Sequence, residues 1–160
     1  ALEDARAYDS DVLVEAWVRG PEYTVAIVDD RALPSIRLKT PNAFYDFEAK
    51  YQSNSTEYLC RAGLDDADEQ ALRALALKAF EAVGCQGWGR VDVMRDEHGD
   101  WQLLEVNTVP GMTDHSLVPM AAKADGDDFA TLVARILLEA VDRFPPRKAN
   151  KASKGSKPRG

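Results

Sequence analysis

Residues 89–107 constrain the fold more than any other stretch, because polar and apolar side chains alternate on both sides of a His98-Gly99 turn signal. With that pair at the tip, Glu97 faces Asp100, Asp92 faces Glu105 and Arg90 faces Asn107. Arg90, Asp92, Glu105 and Asn107 then share one face of a hairpin, and the opposite face is Val91, Val93, Leu104 and Val106, all apolar. A slip of one residue would mix the two faces, whereas a four-residue loop keeps the same pairing.

Carboxylates placed directly opposite each other repel unless a cation or a shared proton lies between them. Asp92 and Glu105 therefore ask for a metal, and Asn107 adds an amide oxygen to an all-oxygen set suited to Mg²⁺ or Mn²⁺. An ion on so few protein ligands keeps positions open for substrate phosphates. Arg90 beside it could stabilise a developing negative charge. The alternative is a solvated hairpin face on which Arg90 merely neutralises Asp92 or Glu105. Next along the chain, the Pro110-Gly111 turn could present backbone N–H groups toward the same face, and Ser116 stands where a short helix starts, with Asp114 or His115 as candidate caps.

Two helices are written clearly. Asp66 and Glu69 give a capping-box-like start, Leu72, Leu75, Ala76, Ala79, Phe80 and Val83 keep helical spacing, and Gly84 sits where a left-handed residue is wanted. The second places Phe129, Leu132, Val133, Ile136, Leu137, Ala140, Val141 and Phe144 on one face and stops at Pro145. Both faces need a sheet to cover. Strand candidates are residues 12–17, 23–28, 32–38, 88–94 and 101–106; Asp29-Asp30 fits a two-residue hairpin turn, and Pro34 implies an edge position or a bulge. This mixed order gives an α+β class, without an internal repeat or a Gly-rich phosphate loop.

A chain of 160 residues with 45% apolar side chains fits one globular domain. No apolar run approaches the roughly 18 residues of a membrane span, and Cys60 and Cys85 have neither disulfide-scaffold nor zinc spacing; a reducing, cytoplasmic setting fits. Residues 147–160 carry Arg147, Lys148, Lys151, Lys154, Lys157 and Arg159 and no acid, which reads as a disordered basic tail over 145–160. The acidic remainder argues against nucleic acid as a partner. Residues 39–64 show no clear period and hold Phe44, Tyr45, Phe47, Lys50, Tyr51 and Tyr58, as expected of a lid or binding loop. Residues 1–9, starting at Ala1 rather than Met, read as the end of a helix whose beginning lies in a missing N-terminal piece.

Several segments in order resemble D-alanine:D-alanine ligase, an ATP-grasp family of bacterial cell-wall synthesis: Glu15-Ala16-Trp17-Val18, Gly20-Pro21-Glu22-Tyr23-Thr24-Val25, Phe44-Tyr45-Asp46-Phe47-Glu48-Ala49-Lys50-Tyr51, Gly87-Trp88-Gly89-Arg90-Val91-Asp92-Val93 and Leu104-Glu105-Val106-Asn107-Thr108-Val109-Pro110-Gly111-Met112-Thr113. The likeness runs to about residue 144. It implies an ATP-grasp C-terminal domain over 15–144, preceded by the end of a central subdomain over 1–14, with a largely antiparallel sheet packed against helices and a long lid loop. It also implies a two-step ligation, in which ATP phosphorylates the carboxylate of one D-alanine and the amine of a second attacks the acyl phosphate.

By this resemblance Asp92, Glu105 and Asn107 hold two Mg²⁺ ions on ATP, and Arg90 with the backbone N–H of Gly111 stabilises the oxyanion. Glu15, Ala16, Trp17 and Val18 contact adenine, Glu22 binds ribose, and Lys50 meets phosphate or substrate carboxylate. Tyr51 marks dipeptide formation, and Ser116 with Leu117 binds the second D-alanine. At position 16 the family's usual lysine is Ala, which leaves backbone contacts to adenine. The family's N-terminal domain and most of its central domain have no counterpart here, so the chain alone is expected to be inactive and the complete protein a homodimer. The competing readings are a Mg-dependent phosphoesterase and a non-enzymatic interaction module built on the lid aromatics and the basic tail.

Overall fold

The computed structural model describes residues 1–39 and 56–144. After a short helix α1 (Leu2–Arg6), the chain lays down β1 (Glu22–Val28), β2 (Arg31–Ala32), β3 (Ile36–Lys39) and β4 (Glu57–Cys60). Then come α2 (Asp66–Ala82), the hairpin β5 (Trp88–Arg95) and β6 (Trp101–Asn107), and the helices α3 (Leu117–Asp125) and α4 (Phe129–Arg143). All pairings are antiparallel, in the order β4-β3-β1-β5-β6 with β2 added to the end of β1. The α+β expectation is met.

Central β1 is buried on both faces beyond its first residue, so its alternate side chains build two cores. Tyr23, Val25 and Ile27, with Val91 and Val93 of β5, pack on Leu72, Ala76 and Phe80 of α2. Ala26 and Val28, with Leu33 and Ile36, pack on Val118, Ala121 and Ala122 of α3 and on Leu132 of α4. The sheet is thus covered by α2 on one side and, on the other, by α3 and α4 only toward the β1–β3 end.

The local turn and cap signals are met in part. Asp29 and Asp30 both have φ of 53° and join the paired residues Val28 and Arg31, as a tight hairpin turn requires. Pro34 sits in a bulge: residues 33–35 lie opposite only Val25 and Ala26. Gly84 takes its left-handed conformation after α2, but the cap is Asp65, whose carboxylate accepts from the Asp68 N–H at 2.8 Å, rather than Asp66. Glu69 instead reaches the bulge, accepting from the Ser35 N–H at 2.9 Å and from its hydroxyl at 2.5 Å. Ser35 is fully buried, so Glu69→Ala strands a buried N–H. It should cost about 2 kcal/mol in a denaturant melt, and an unchanged melt would show that the bulge supports itself.

Three expectations are corrected. Residues 12–17 form no strand: among the described residues no neighbouring strand pairs with them, and Leu13, Val14 and Trp17 are exposed. The 39–64 stretch is not wholly without structure, since Lys39 ends β3 and Glu57–Cys60 pairs with that strand as β4; a four-residue strand is too short to show a period. The apolar face of α4 is largely bare. Leu132 is buried and Ile136 packs beside it, while Phe129, Val133, Leu137, Val141 and Phe144 stay exposed, because the sheet and α3 cover only a narrow strip of a wider apolar stripe.

Candidate active site

The uncovered end of the α3 face holds the candidate site. Arg90 pairs with Asn107 and Asp92 with Glu105 across β5 and β6, as the sequence alternation requires. Toward the turn the register shifts by one: Val93 pairs with Leu103 and Arg95 with Trp101, leaving Leu104 as the extra residue of a bulge. Glu97 therefore does not face Asp100, and Leu104 is exposed rather than part of the apolar face. In its place Trp101 packs edge-on to Tyr23, with ring centroids 5.2 Å apart. The turn is tied by Asp96, whose carboxylate accepts from the His98 and Asp100 N–H groups and from Gln102. These bonds hold its pKa below the usual carboxylate value.

Opposed acids must be neutralised, and the structure does so with two neighbours. Arg90 straddles Asp92, its Nε donating to Oδ1 at 2.8 Å and its Nη2 to Oδ2 at 2.7 Å. Asn107 Nδ2 donates to Asp92 Oδ2 and to Glu105 Oε1, both at 3.1 Å, so its amide stands between the two carboxylates. The ion pair raised as an alternative is thus present, and it includes Asp92. Among the described residues no three His, Cys, Asp or Glu side chains gather as a metal cluster. The donors here are two carboxylates and one amide, and turning that amide about its last torsion would put its oxygen where its nitrogen lies. The set fits a hard cation that takes the rest of its shell from phosphate or water.

One residue that sequence reasoning passed over belongs to this group. Thr24, buried on β1 opposite Asp92, donates its hydroxyl to Asp92 Oδ1 at 2.7 Å. Its alternation with Glu22 was visible, but the pairing of β1 with β5, 68 residues apart at Thr24 and Asp92, was not.

Glu22 lies on the same sheet face two residues earlier, about 7 Å along the strand. Beyond β6, Ser116 precedes α3 as its cap residue, correcting Asp114 and His115. Its Oγ accepts from the Thr113 N–H at 2.9 Å, and a Cβ on Gly111 would come within 2.9 Å of it, so Gly111, Ser116 and Leu117 form one corner. Glu15, Ala16, Trp17 and Val18 lie in an irregular segment ahead of β1, the first three exposed. Lys50, Tyr51, Phe44, Tyr45, Phe47 and the 145–160 tail lie outside the described residues.

A family model described as "D-ala D-ala ligase C-terminus" matches residues 1–138. The chain belongs to this family. A D-alanine:D-alanine ligase of Alcanivorax borkumensis is 76% identical over 143 residues, covering 89% of this chain and 47% of the relative. One from Idiomarina loihiensis is 60% identical, covering 89% of this chain and 46% of the relative. This member of the D-Ala–D-Ala ligase C-terminus family therefore spans about half the length of the relatives it matches. Among solved structures, the Bacillus anthracis D-alanine:D-alanine ligase complexed with ATP superposes with a TM-score of 0.74 at 30% identity, covering 89% of this chain and 45% of that one. The VanG D-Ala:D-Ser ligase of Enterococcus faecalis gives 0.65 at 28% identity, covering 77% and 37%. The ATP-grasp fold, with its antiparallel sheet packed on helices, is that of these ligases. Among the described residues no helix is long and apolar enough to cross a membrane.

Proposed function

We propose that this chain supplies the C-terminal part of a D-alanine:D-alanine ligase, which joins two D-alanine molecules through an acyl phosphate at the expense of ATP. The observation that carries the reading is the convergence of Arg90, Asp92, Glu105 and Asn107 on one bare sheet face. Glu22 stands on that same face two residues before Thr24, the partner of Asp92, which supports a role for it beside the phosphates.

Divalent ions, Mg²⁺ or Mn²⁺ and two in number, would be held by Asp92, Glu105 and Asn107 and would draw charge from the ATP phosphates. The chain's own residues position the reactants. Glu15, Ala16, Trp17 and Val18 line the adenine, with Ala16 contributing backbone, and Glu22 binds the ribose hydroxyls. Arg90 and the Gly111 N–H stabilise the oxyanion formed as the second amine attacks. Ser116 and Leu117 hold the carboxylate of the second D-alanine, and Lys50 and Tyr51 act from the segment between β3 and β4. The whole enzyme works as a cytoplasmic homodimer, and residues 1–14 and 15–144 divide between its central and C-terminal subdomains.

The test is a fusion of the first half of the Alcanivorax borkumensis relative to this chain, assayed for phosphate release with Mg-ATP. Release should require D-alanine and fail with L-alanine. Release without any amino acid would point to a phosphoesterase, and no release from a folded fusion would overturn the ligase reading.

A further inference from the structure

Asp92 accepts four hydrogen bonds, and they are not equivalent. Oδ1 takes the Thr24 hydroxyl at 2.7 Å and Arg90 Nε at 2.8 Å, which fills both of its in-plane lone pairs. Oδ2 takes Arg90 Nη2 at 2.7 Å and Asn107 Nδ2 at 3.1 Å, the second from an amide that can turn over. Only Oδ2 lies toward Asn107, whose other contact is Glu105. Thr24 is almost wholly buried, as is Asp92. The Thr24 hydroxyl has one other oxygen near it, Val91 O at 3.5 Å, so its proton belongs to the shorter bond.

We infer that Thr24 is the positioning residue for Asp92: its hydroxyl fixes Oδ1 inside the sheet, so that the carboxylate offers Oδ2 alone to a divalent cation shared with Glu105 and Asn107. The inference rests on the metal reading proposed above and deepens it. Thr24, Asp92 and Glu105 occupy one row across β1, β5 and β6. The hydroxyl therefore acts on Asp92 from the buried end of the row, and Glu105 stands exposed at the other end. Without it, one lone pair of Oδ1 is left unmatched in the interior, and the tilt of the carboxylate is set by Arg90 and Asn107 alone. Partners that orient a metal ligand from behind commonly change metal affinity by about 10- to 100-fold.

The experiment is a Mn²⁺ titration of the chain followed by water-proton relaxation, with thermal melts alongside. Thr24→Val should bind Mn²⁺ about 10-fold more weakly or worse. Thr24→Ser, which keeps the hydroxyl and loses a methyl, should melt lower yet hold Mn²⁺ as the parent does, a split that a purely packing role for Thr24 would not produce. If Thr24→Val does not fold, Thr24→Ala set against Thr24→Ser repeats the comparison, since both lack the methyl. Asp92→Asn tests the underlying reading. Weak binding by Asp92→Asn together with parental binding by Thr24→Val overturns the positioning role. Parental binding by Asp92→Asn, or no binding by the parent, overturns the metal site itself and the role of Thr24 with it.

Discussion

Asp92→Asn is expected to lower the kcat for D-alanine-dependent phosphate release by the fusion protein about 10³-fold, or ~4 kcal/mol of transition-state stabilisation. Every donor around Asp92 is built for a carboxylate: Arg90 grips both oxygens, and Thr24 and Asn107 each take one. An asparagine has one oxygen to offer. Whichever way it turns, its NH₂ faces one donor of Arg90, together with the Thr24 hydroxyl or the Asn107 amide, so the bidentate grip is lost. The proposed cation site also loses one of its two negative charges, which weakens its hold on the cation whose pull on the phosphates is strongest in the transition state. The fold should persist, because the backbone ladder around residue 92 is unchanged. A circular-dichroism melt within a few degrees of the parent, beside the collapsed rate, is the expected pair of results. A folded variant with near-parental kcat would remove Asp92 from the chemistry.

Gly20→Ala is expected to have the largest effect on stability, at least about 3 kcal/mol, or roughly a 10 °C fall in Tm for a chain of this size. Gly20 has φ of 149°, and a Cβ built on it would lie 1.8 Å from the carbonyl oxygen of Arg95. That neighbour is backbone and cannot turn aside. It is also tied in place, since the Arg95 N–H donates to Pro21 O at 3.0 Å and Arg95 itself ends β5 against Trp101 of β6. Relief would require peeling the start of β1 from the end of β5, next to Glu22. Chemical denaturation with tryptophan fluorescence measures the loss, and a shift below 1 kcal/mol would mean that this crossing of the chain is looser than the structure has it.

The candidate site was more legible than the frame around it. Asp92 opposite Glu105 and Arg90 opposite Asn107 followed from alternation alone, because a register that separates polar from apolar faces has few competitors. The bulge at Leu104 escaped notice because it lies between two stretches that each alternate properly, and no residue type marks it. Residues 12–17 carry the composition of a strand, but a strand exists only if a neighbour pairs with it, and pairing is not local. The same limit hid Thr24, whose role depends on β1 lying against β5. The bare stripe on α4 shows the converse: periodicity reports that a face is apolar and says nothing of how wide a cover the rest of the chain provides.

The extra residue at Leu104 divides the β5–β6 ribbon into two registers, while β5 itself stays paired to β1 without a break. On one side the four polar groups keep their register; on the other, residues 93–95 pair with 101–103 one step out of it, and the tip beyond them is closed by its own Asp96 bonds. Residues 88–94 are held by β1, a pairing that stops short of the 96–100 tip, so an insertion at the tip leaves the seat of Asp92 in place. A reporter peptide or a purification tag placed there would ride on the chain without disturbing that seat.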